Sequence, residues 1–196
     1  MRRRQFLRST AAGSLAFGAT PILSAKAGRK YKTALIGSGW WGMNVLKEAM
    51  AAGSAKVIGL CDVDEEAIDV SAEKVERLSG ESPKGYKDYR ELLAKEKPEI
   101  VIIATPDHWH VPMALRALAT GKKVFCEKPT LTIAEGLELI KAVKRSDAVF
   151  ATGLEDLSVT HYYKMAEAVR NGAIGKLKHI RVGLPIKPIF PLEEEA

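Results

Sequence analysis

Short apolar runs and amphipathic segments alternate along most of this 196-residue chain. The apolar runs have the length typical of strands that are buried on both faces, and they lie at 31–36, 55–62, 99–104, 123–126 and 148–152. The segments between them repeat apolar residues every three or four positions, which predicts helices at 43–52, 65–78, 111–120 and 132–145. This alternation predicts an α/β fold with a doubly wound, parallel sheet.

Two of the segments that connect these elements have predicted features of their own. Residues 80–85 are predicted to form a loop, after which Tyr86 begins a very short strand and Asp88 caps a short helix. Residues 105–110 are predicted to form a second loop, directly after a buried strand. Ligands of doubly wound sheets bind over the carboxyl ends of the strands, so this second loop is a candidate part of a site.

The helix predicted at 132–145 begins at Thr132 or its neighbour. Its apolar residues recur three positions apart on one face. We therefore predict that Leu137, Ile140 and Val143 point toward the core.

The two cysteines are predicted to be free and buried. With the strand order 3-2-1-4-5-6 of a doubly wound sheet, Cys61 and Cys126 fall on the second and fifth strands. Three strand spacings of ~4.8 Å separate these strands by about 14 Å, whereas a disulfide needs Cα atoms within ~7 Å.

A glycine-rich turn follows the first strand and opens the first helix. Gly37 allows a sharp turn, Gly39 has no side chain to keep a pyrophosphate away from backbone N–H groups, and Gly42 lets the helix pack against the sheet. Asp62 lies 20 residues beyond Gly42, where its carboxylate can accept hydrogen bonds from both ribose hydroxyls. The pattern predicts a Rossmann domain at 31–152 that binds a dinucleotide at the helix N-terminus.

Asp62 also favours NAD over NADP, because a carboxylate repels the 2′-phosphate. No Arg or Lys directly follows it, since the next residues are Val63, Asp64 and Glu65. Trp40 and Trp41 stand within the turn, where packing against the helix and forming a wall beside the nucleotide are both open interpretations.

Residues 1–27 resemble a twin-arginine export signal and not a folded segment. Arg3-Arg4 is followed by Phe6-Leu7, then by a weakly apolar stretch at 11–23 and a small-x-small cleavage site at 25–27. The stretch is too short for a mature bilayer span. We expect a periplasmic protein, exported folded with its cofactor in place.

This segment also explains the basic balance of the chain. The formal net charge is +6, yet five of the 30 Lys and Arg residues lie in 1–27, which hold no acid. The other 25 basic residues nearly balance the 24 acidic ones. No basic cluster with interleaved aromatic residues is present, which argues against nucleic-acid binding.

Residues 153–196 are predicted to begin a second domain that stops early. They offer one amphipathic helix at 161–170, one strand at 176–184 and a proline-rich acidic end. One helix and one strand cannot bury a core alone. We therefore expect the chain to be a fragment or a truncated product.

Three motifs resemble those of the glucose–fructose oxidoreductase / inositol dehydrogenase / rhizopine catabolism (Gfo/Idh/MocA) family. They are Gly37-Ser38-Gly39-Trp40-Trp41-Gly42, Ala104-Thr105-Pro106-Asp107-His108-Trp109-His110 and Cys126-Glu127-Lys128-Pro129. The resemblance covers residues 31–184 and is strongest to the secreted branch. It implies a Rossmann domain followed by an α/β domain that binds a sugar or polyol and builds a homo-oligomer.

The resemblance also implies roles for individual residues. Lys128 would lie beside nicotinamide and substrate as the catalytic residue, and Glu127 would help to position the cofactor. Thr105 and Pro106 would pack near its ribose and ring, and His110 would touch cofactor or substrate. An ammonium at position 128 suits alcohol oxidation, because it stabilises the developing charge on oxygen or relays the proton.

The sequence departs from the family in its second part. The Asp and His, four residues apart, that usually transfer the proton have no counterpart after residue 153.

Three functions stay open: a sugar or polyol oxidoreductase, a glycosidase that oxidises the sugar transiently with NAD, and a nucleotide-binding fragment without catalysis.

A metal site is not favoured. Asp107, His108 and His110 lie close in sequence, but no further His or Cys cluster completes a ligand set. We interpret these residues as loop contacts at the start of a helix.

Overall fold

The computed structural model describes residues 28–128 and 130–183. The export signal predicted at 1–27 lies outside the described residues. So do Pro129 and residues 184–196. The chain divides into two compact units after Gly153. No helix in the described ranges combines the length and the apolar character that crossing a membrane requires.

The first unit is built on a six-stranded parallel sheet. The strands are β1 Tyr31–Ile36, β2 Ala55–Cys61, β3 Lys84–Tyr86, β4 Ile100–Ile103, β5 Lys123–Glu127 and β6 Phe150–Gly153. Their order is β3-β2-β1-β4-β5-β6, which confirms the predicted doubly wound Rossmann topology. Ile36 is in register with Cys61 on one side and with Ile103 on the other. The carboxyl ends of the central strands therefore meet at one edge.

Helices connect the strands, and a sixth helix lies in the second unit. They are α1 Trp40–Ala51, α2 Glu65–Ser79, α3 Tyr89–Glu96, α4 Asp107–Ala119, α5 Ile133–Ser146 and α6 Thr160–Arg170. The predicted cap at Asp88 is confirmed, because its Oδ1 accepts from Arg90 N at 2.8 Å. Thr132 caps α5 and forms a reciprocal capping box with Glu135.

Two hydrophobic clusters form the core, one on each face of the sheet. Successive strand residues point to opposite faces, so Leu35 packs with α1 and α2 while Ile36 packs on the side of α4 and α5. Covering both faces requires the buried part of each central strand to be apolar, as residues 34–36 of β1 and 101–103 of β4 are.

Both cysteines are free and buried, as predicted. Burial raises the pKa of the Cys61 thiol to about 12, and the nearby carboxylates of Asp62 and Asp88 add to the effect. Burial likewise raises the pKa of the Cys126 thiol to about 12. Both thiols are therefore poor nucleophiles at neutral pH.

The predicted loop at 105–110 is wrong for its last four residues. Helix α4 begins at Asp107, so residues 107–110 form its first turn. Proline is typical of the first turn of a helix, which fits a start near Pro112, whereas the structure places Pro112 in the helix interior. The helix tolerates Pro112; the carbonyl that loses its partner belongs to His108, an exposed residue.

The first helix also begins earlier than expected, at Trp40 instead of residue 43. Strand β3 likewise begins at Lys84, inside the predicted loop, and it ends at Tyr86 instead of beginning there. Lys84 pairs with Gly59 of β2. Pairing with a neighbouring strand outweighs the weak strand preference of Lys and Gly.

The predicted inward face of α5 is wrong for two of three residues. Leu137 and Ile140 are 54% and 51% exposed. Leu139 is the buried residue, at 8% exposure, while Val143 packs against the core as expected. The helix carries apolar residues on two faces, and periodicity alone does not show which face meets the sheet.

The second unit holds the predicted helix but not the predicted strand. Helix α6 follows a short 3-10 turn at Glu155–Leu157. Residues 176–183, the described part of the predicted strand 176–184, form no strand. A strand is held by hydrogen bonds to a neighbouring strand. The described residues of this unit contain no strand with which 176–183 could pair.

We predict that shortening a leucine side chain of α5 to alanine destabilises the fold on one face of the helix only. Leu139→Ala should lower the free energy of unfolding by about 2–4 kcal/mol, because it leaves a cavity against the sheet. Leu137→Ala should change it by less than about 1 kcal/mol, since surface substitutions have small effects. Urea denaturation followed by circular dichroism measures both; equal losses would contradict the observed face.

Candidate functional site

The three glycines of the turn after β1 meet different surroundings. A Cβ on Gly37 would lie 2.5 Å from Ala104 O, and this residue has φ +92°, which favours glycine. A Cβ on Gly42 would lie 1.9 Å from Gly37 O. A Cβ on Gly39 would meet nothing within 4 Å. Gly37 and Gly42 are therefore needed for packing, whereas Gly39 faces open space.

Ser38 is fixed from three directions between these glycines. Its N–H donates to Asp62 Oδ2 at 2.7 Å, its hydroxyl donates to Cys61 O at 3.2 Å, and its carbonyl accepts from Ser71 Oγ at 2.7 Å. Gly37 N also donates to Cys61 O at 2.8 Å. These bonds join the turn to the end of β2 and to α2, so its shape does not depend on a ligand.

Sequence reasoning missed Ser71, although a signal existed. Ser71 lies on the buried face of α2 with Ile68 and Val75, and it is 2% exposed. A small polar residue at an inward helical position requires a buried hydrogen-bond partner. That partner, Ser38, lies 33 residues away in sequence.

Helix α1 presents its N-terminus to this turn. The first N–H groups of a helix have no partner within the helix and carry a partial positive charge. Gly39 is the N-cap, and no side chain accepts a hydrogen bond there. The first turn of α1 can therefore bind an anion such as a pyrophosphate.

Asp62 occupies the end of β2 beside the turn. Its Oδ2 accepts from Ser38 N, and its Oδ1 accepts from Asp64 N at 3.2 Å. Two backbone N–H groups thus hold the carboxylate in one orientation. A fixed acceptor at this place suits the hydroxyls of a ribose.

A cleft of about 590 Å³ runs along this edge of the sheet. Five of the predicted cofactor-binding residues line it: Gly37, Gly39, Asp62, Thr105 and Pro106. It is also lined by residues that the sequence analysis did not assign to the cofactor: Val63, Lys87, Asp88, Tyr89, Arg90, His108, Trp109 and Met113.

Lys87 and Arg90 bring positive charge into the cleft from the end of β3. Lys87 Nζ lies 2.8 Å from Glu65 Oε2, and Arg90 Nη2 lies 2.8 Å from Asp88 Oδ2. The hydrogen bonds from Arg90 hold the pKa of the Asp88 carboxyl below its usual range. The residues directly after Asp62 include no cation, so the sequence did not indicate that Lys87 and Arg90 line the cleft.

His110 is buried, at 2% exposure, and does not line the cleft. Its Nε2 lies 2.7 Å from Thr105 O. A carbonyl oxygen only accepts, so Nε2 carries the proton and donates it. The bond holds the backbone of Thr105, which does line the cleft.

The two tryptophans of the turn differ in exposure. Trp40 is 78% exposed and borders a groove between α1 and α2, not the main cleft. Trp41 is partly buried, and its Nε1 has no hydrogen-bond partner among the described residues. Their ring centroids lie 5.3 Å apart.

Glu127 and Lys128 lie at the end of β5. Glu127 is buried, at 5% exposure, and its Oε2 accepts from Lys128 N at 3.3 Å. It pairs with Gly153 of β6, where a Cβ would lie 2.6 Å from Glu127 Oε1. The missing side chain at Gly153 therefore leaves room for this carboxylate. Lys128 is exposed.

Within 28–128 and 130–183, no group of three or more His, Cys, Asp or Glu side chains could hold a metal ion.

Residues 31–154 match the family described as an oxidoreductase family with an NAD-binding Rossmann fold. The chain belongs to the Gfo/Idh/MocA family. The match spans the sheet, the glycine turn and the strand ends that line the cleft. This chain therefore contains the NAD-binding Rossmann domain of a Gfo/Idh/MocA protein.

A curated relative is the "Glycosyl hydrolase family 109 protein" of Stenotrophomonas maltophilia (strain K279a). It is 30% identical over 193 residues, which are 93% of this chain and 42% of the relative. The chain thus spans less than half the length of that relative.

Solved structures of similar fold include the myo-inositol 2-dehydrogenase from Lactobacillus plantarum, with a TM-score of 0.66 and 26% identity over 76% of this chain and 43% of that chain. An NAD-binding protein from Listeria innocua has a TM-score of 0.66 and 31% identity over 76% and 42%. Both likenesses agree with the family assignment.

We predict that Gly39 and Gly42 respond differently to alanine. Gly42→Ala should lower the free energy of unfolding by at least about 2 kcal/mol, because its Cβ would overlap a backbone carbonyl. Gly39→Ala should change it by less than about 1 kcal/mol without ligand, yet weaken the stabilisation by NAD. For the unchanged chain, that stabilisation is about 2.7 kcal/mol at 100 times the Kd.

Thermal unfolding with and without NAD measures both effects. A Gly39→Ala variant that NAD stabilises as much as it stabilises the unchanged chain would contradict the placement of the phosphates at this turn.

Proposed function

We propose that this chain is the nucleotide-binding part of an NAD-dependent oxidoreductase that acts on a sugar or polyol. The observation that carries the proposal is the glycine turn, which is fixed without a ligand and opens onto a 590 Å³ cleft at the sheet edge. The family assignment supports NAD as the cofactor. The sugar or polyol rests on the family resemblance and on the likeness to an inositol dehydrogenase.

The residues present fit the cofactor in distinct ways. The N–H groups of the first turn of α1 would hold the pyrophosphate, and Asp62 would accept from the ribose. Gly39 leaves open the space through which the phosphates approach. A bound nicotinamide supplies the carbon that accepts or releases a hydride.

Lys128 is the candidate catalytic residue. Its side chain is exposed directly after β5, at the same sheet edge as the turn. Its Nζ can hold or donate a proton, and its charge stabilises negative charge on a substrate oxygen. Glu127 is a candidate for positioning the backbone here, because its carboxylate accepts from Lys128 N.

A second function is favoured by a specific observation. The relative from Stenotrophomonas maltophilia is named a glycosyl hydrolase. A chain of this kind would oxidise its sugar transiently, eliminate the aglycone as an alcohol, add water to the unsaturated ring and then reduce it, so that the hydride first taken up by NAD would be returned and no net NADH would form. The homo-oligomer that the family implies stays a prediction.

Turnover by the purified chain tests the proposal. We expect a panel of sugars and polyols with NAD to raise the absorbance at 340 nm if the chain is an oxidoreductase. Release of aglycone from glycosides without net NADH would instead support the glycosidase. NAD binding without either product would reduce the function to nucleotide binding.

Where turnover is found, Lys128→Met should lower kcat by about 100-fold or more, because it removes the proton donor and its charge. Lys141→Met is the matched control, since Lys141 is exposed on α5 and should leave kcat within about twofold. Equal rates in both variants would remove Lys128 from the mechanism.

We also propose that the chain is exported to the periplasm by the twin-arginine route. The order of twin arginines, apolar stretch and small-x-small site in 1–27 supports this. Replacing Arg3 and Arg4 together by lysine should retain the protein in the cytoplasm, whereas Arg8→Lys should still permit export. Cell fractionation measures both, and unchanged export of the twin-lysine variant would refute the proposed route.

A further inference from the structure

We propose that Ser71 of α2 is a positioning residue for the dinucleotide, because its hydroxyl fixes the peptide unit whose N–H would meet the pyrophosphate. Ser71 lies outside the glycine turn and does not line the cleft. The proposal rests on the proposed binding of NAD at this turn. It names a determinant of cofactor affinity on a helix that does not itself contact the phosphates.

The hydrogen bond from Ser71 to the turn is buried at both ends. Ser71 Oγ donates to Ser38 O at 2.7 Å, and each of the two residues is 2% exposed. Leaving a buried acceptor without its donor costs free energy, because water cannot replace the lost bond. The Ser38 carbonyl is therefore held toward α2.

The direction of this carbonyl sets the direction of the next N–H group. The peptide bonds of the described residues are all trans, and in a planar trans peptide unit the C=O and the N–H point in opposite directions. Because the Ser38 carbonyl points toward α2, the Gly39 N–H points away from that helix. Gly39 lines the cleft, and a Cβ on it would meet nothing within 4 Å. A phosphate oxygen can therefore approach this N–H.

The preceding peptide unit is oriented in the same manner by other partners. Its N–H belongs to Ser38 and donates to Asp62 Oδ2 at 2.7 Å. Its carbonyl belongs to Gly37 and lies against α1, where a Cβ on Gly42 would be 1.9 Å from the oxygen. Two successive peptide units are thus fixed, the first by Asp62 and α1 and the second by Ser71.

Ser79 offers a matched comparison on the same helix. Its Oγ donates to Val75 O at 2.9 Å and accepts from Glu81 N at 3.3 Å. Both partners lie on α2 or directly after it, so these bonds do not involve the glycine turn. Ser79→Ala therefore removes a hydroxyl from α2 without changing the turn.

The test measures NADH and ADP binding to the full chain, to Ser71→Ala and to Ser79→Ala. Energy transfer from tryptophan to the reduced nicotinamide gives the Kd for NADH by titration. Displacement of NADH gives the Kd for ADP, which has the same adenosine and pyrophosphate. Circular dichroism confirms that each variant is folded at the temperature of the titration.

We expect Ser71→Ala to weaken the binding of both NADH and ADP by about fivefold or more, because the peptide unit that presents the Gly39 N–H loses a buried hydrogen bond. Ser79→Ala should leave both Kd values within about twofold, since its bonds are local to α2.

Amide hydrogen exchange at saturating NAD separates positioning from a general loss of stability. A general loss would speed the exchange of the Gly39 and Trp41 amides together. Loss of positioning should lower the protection of Gly39 relative to Trp41 by about fivefold or more, because only the peptide unit before Gly39 has lost its anchor.

Three results would overturn the inference alone. They are NADH and ADP affinities that Ser71→Ala leaves within about twofold, an equal loss of affinity in Ser79→Ala, and an unchanged ratio of Gly39 to Trp41 protection. A loss confined to NADH, with ADP unaffected, would likewise contradict a role at the pyrophosphate. Failure of the unchanged chain to bind NADH would overturn the proposed function, and this assignment with it.

Discussion

The close approach of α1 to the end of β1 is the constraint on which the site depends. The backbone of Gly42 lies against the carbonyl of Gly37 so closely that no Cβ fits between them. This contact aims the N-terminus of α1 across the sheet edge. Ser38, with hydrogen bonds on its amide, hydroxyl and carbonyl, then fixes the turn to β2 and α2. Packing and hydrogen bonds therefore fix the turn in the absence of a ligand. The first N–H groups of α1 have no partner within the helix and are left for an anion to bind.

The parallel sheet determines what surrounds that surface. Because the strands run in one direction and are in register, each contributes the residues after its carboxyl end to the same edge. β2 contributes Asp62, β3 contributes Lys87 and Arg90, and β4 contributes Thr105. Neighbouring strand ends therefore supply both acidic and basic side chains to one cleft.

The features visible in sequence were those with a local cause. Apolar runs predicted five of the six strands, the doubly wound fold predicted their order, and the glycine spacing with Asp62 predicted the turn. The features that were missed depend on distant partners. Ser71 has its role only because Ser38 lies opposite it, and Arg90 faces the cleft only because β3 pairs with β2. The buried face of α5 was likewise decided by packing, since both of its faces carry apolar residues.

Amide hydrogen exchange across the turn tests the central claim most directly, because the claim concerns individual N–H groups. Without NAD, the Ser38 amide should already exchange slowly, since it donates to Asp62. The amides of Gly39, Trp40 and Trp41 should exchange quickly, and NAD should slow them by about tenfold or more. Slowing elsewhere in the chain, with these three amides unchanged, would contradict the placement of the dinucleotide at the N-terminus of α1.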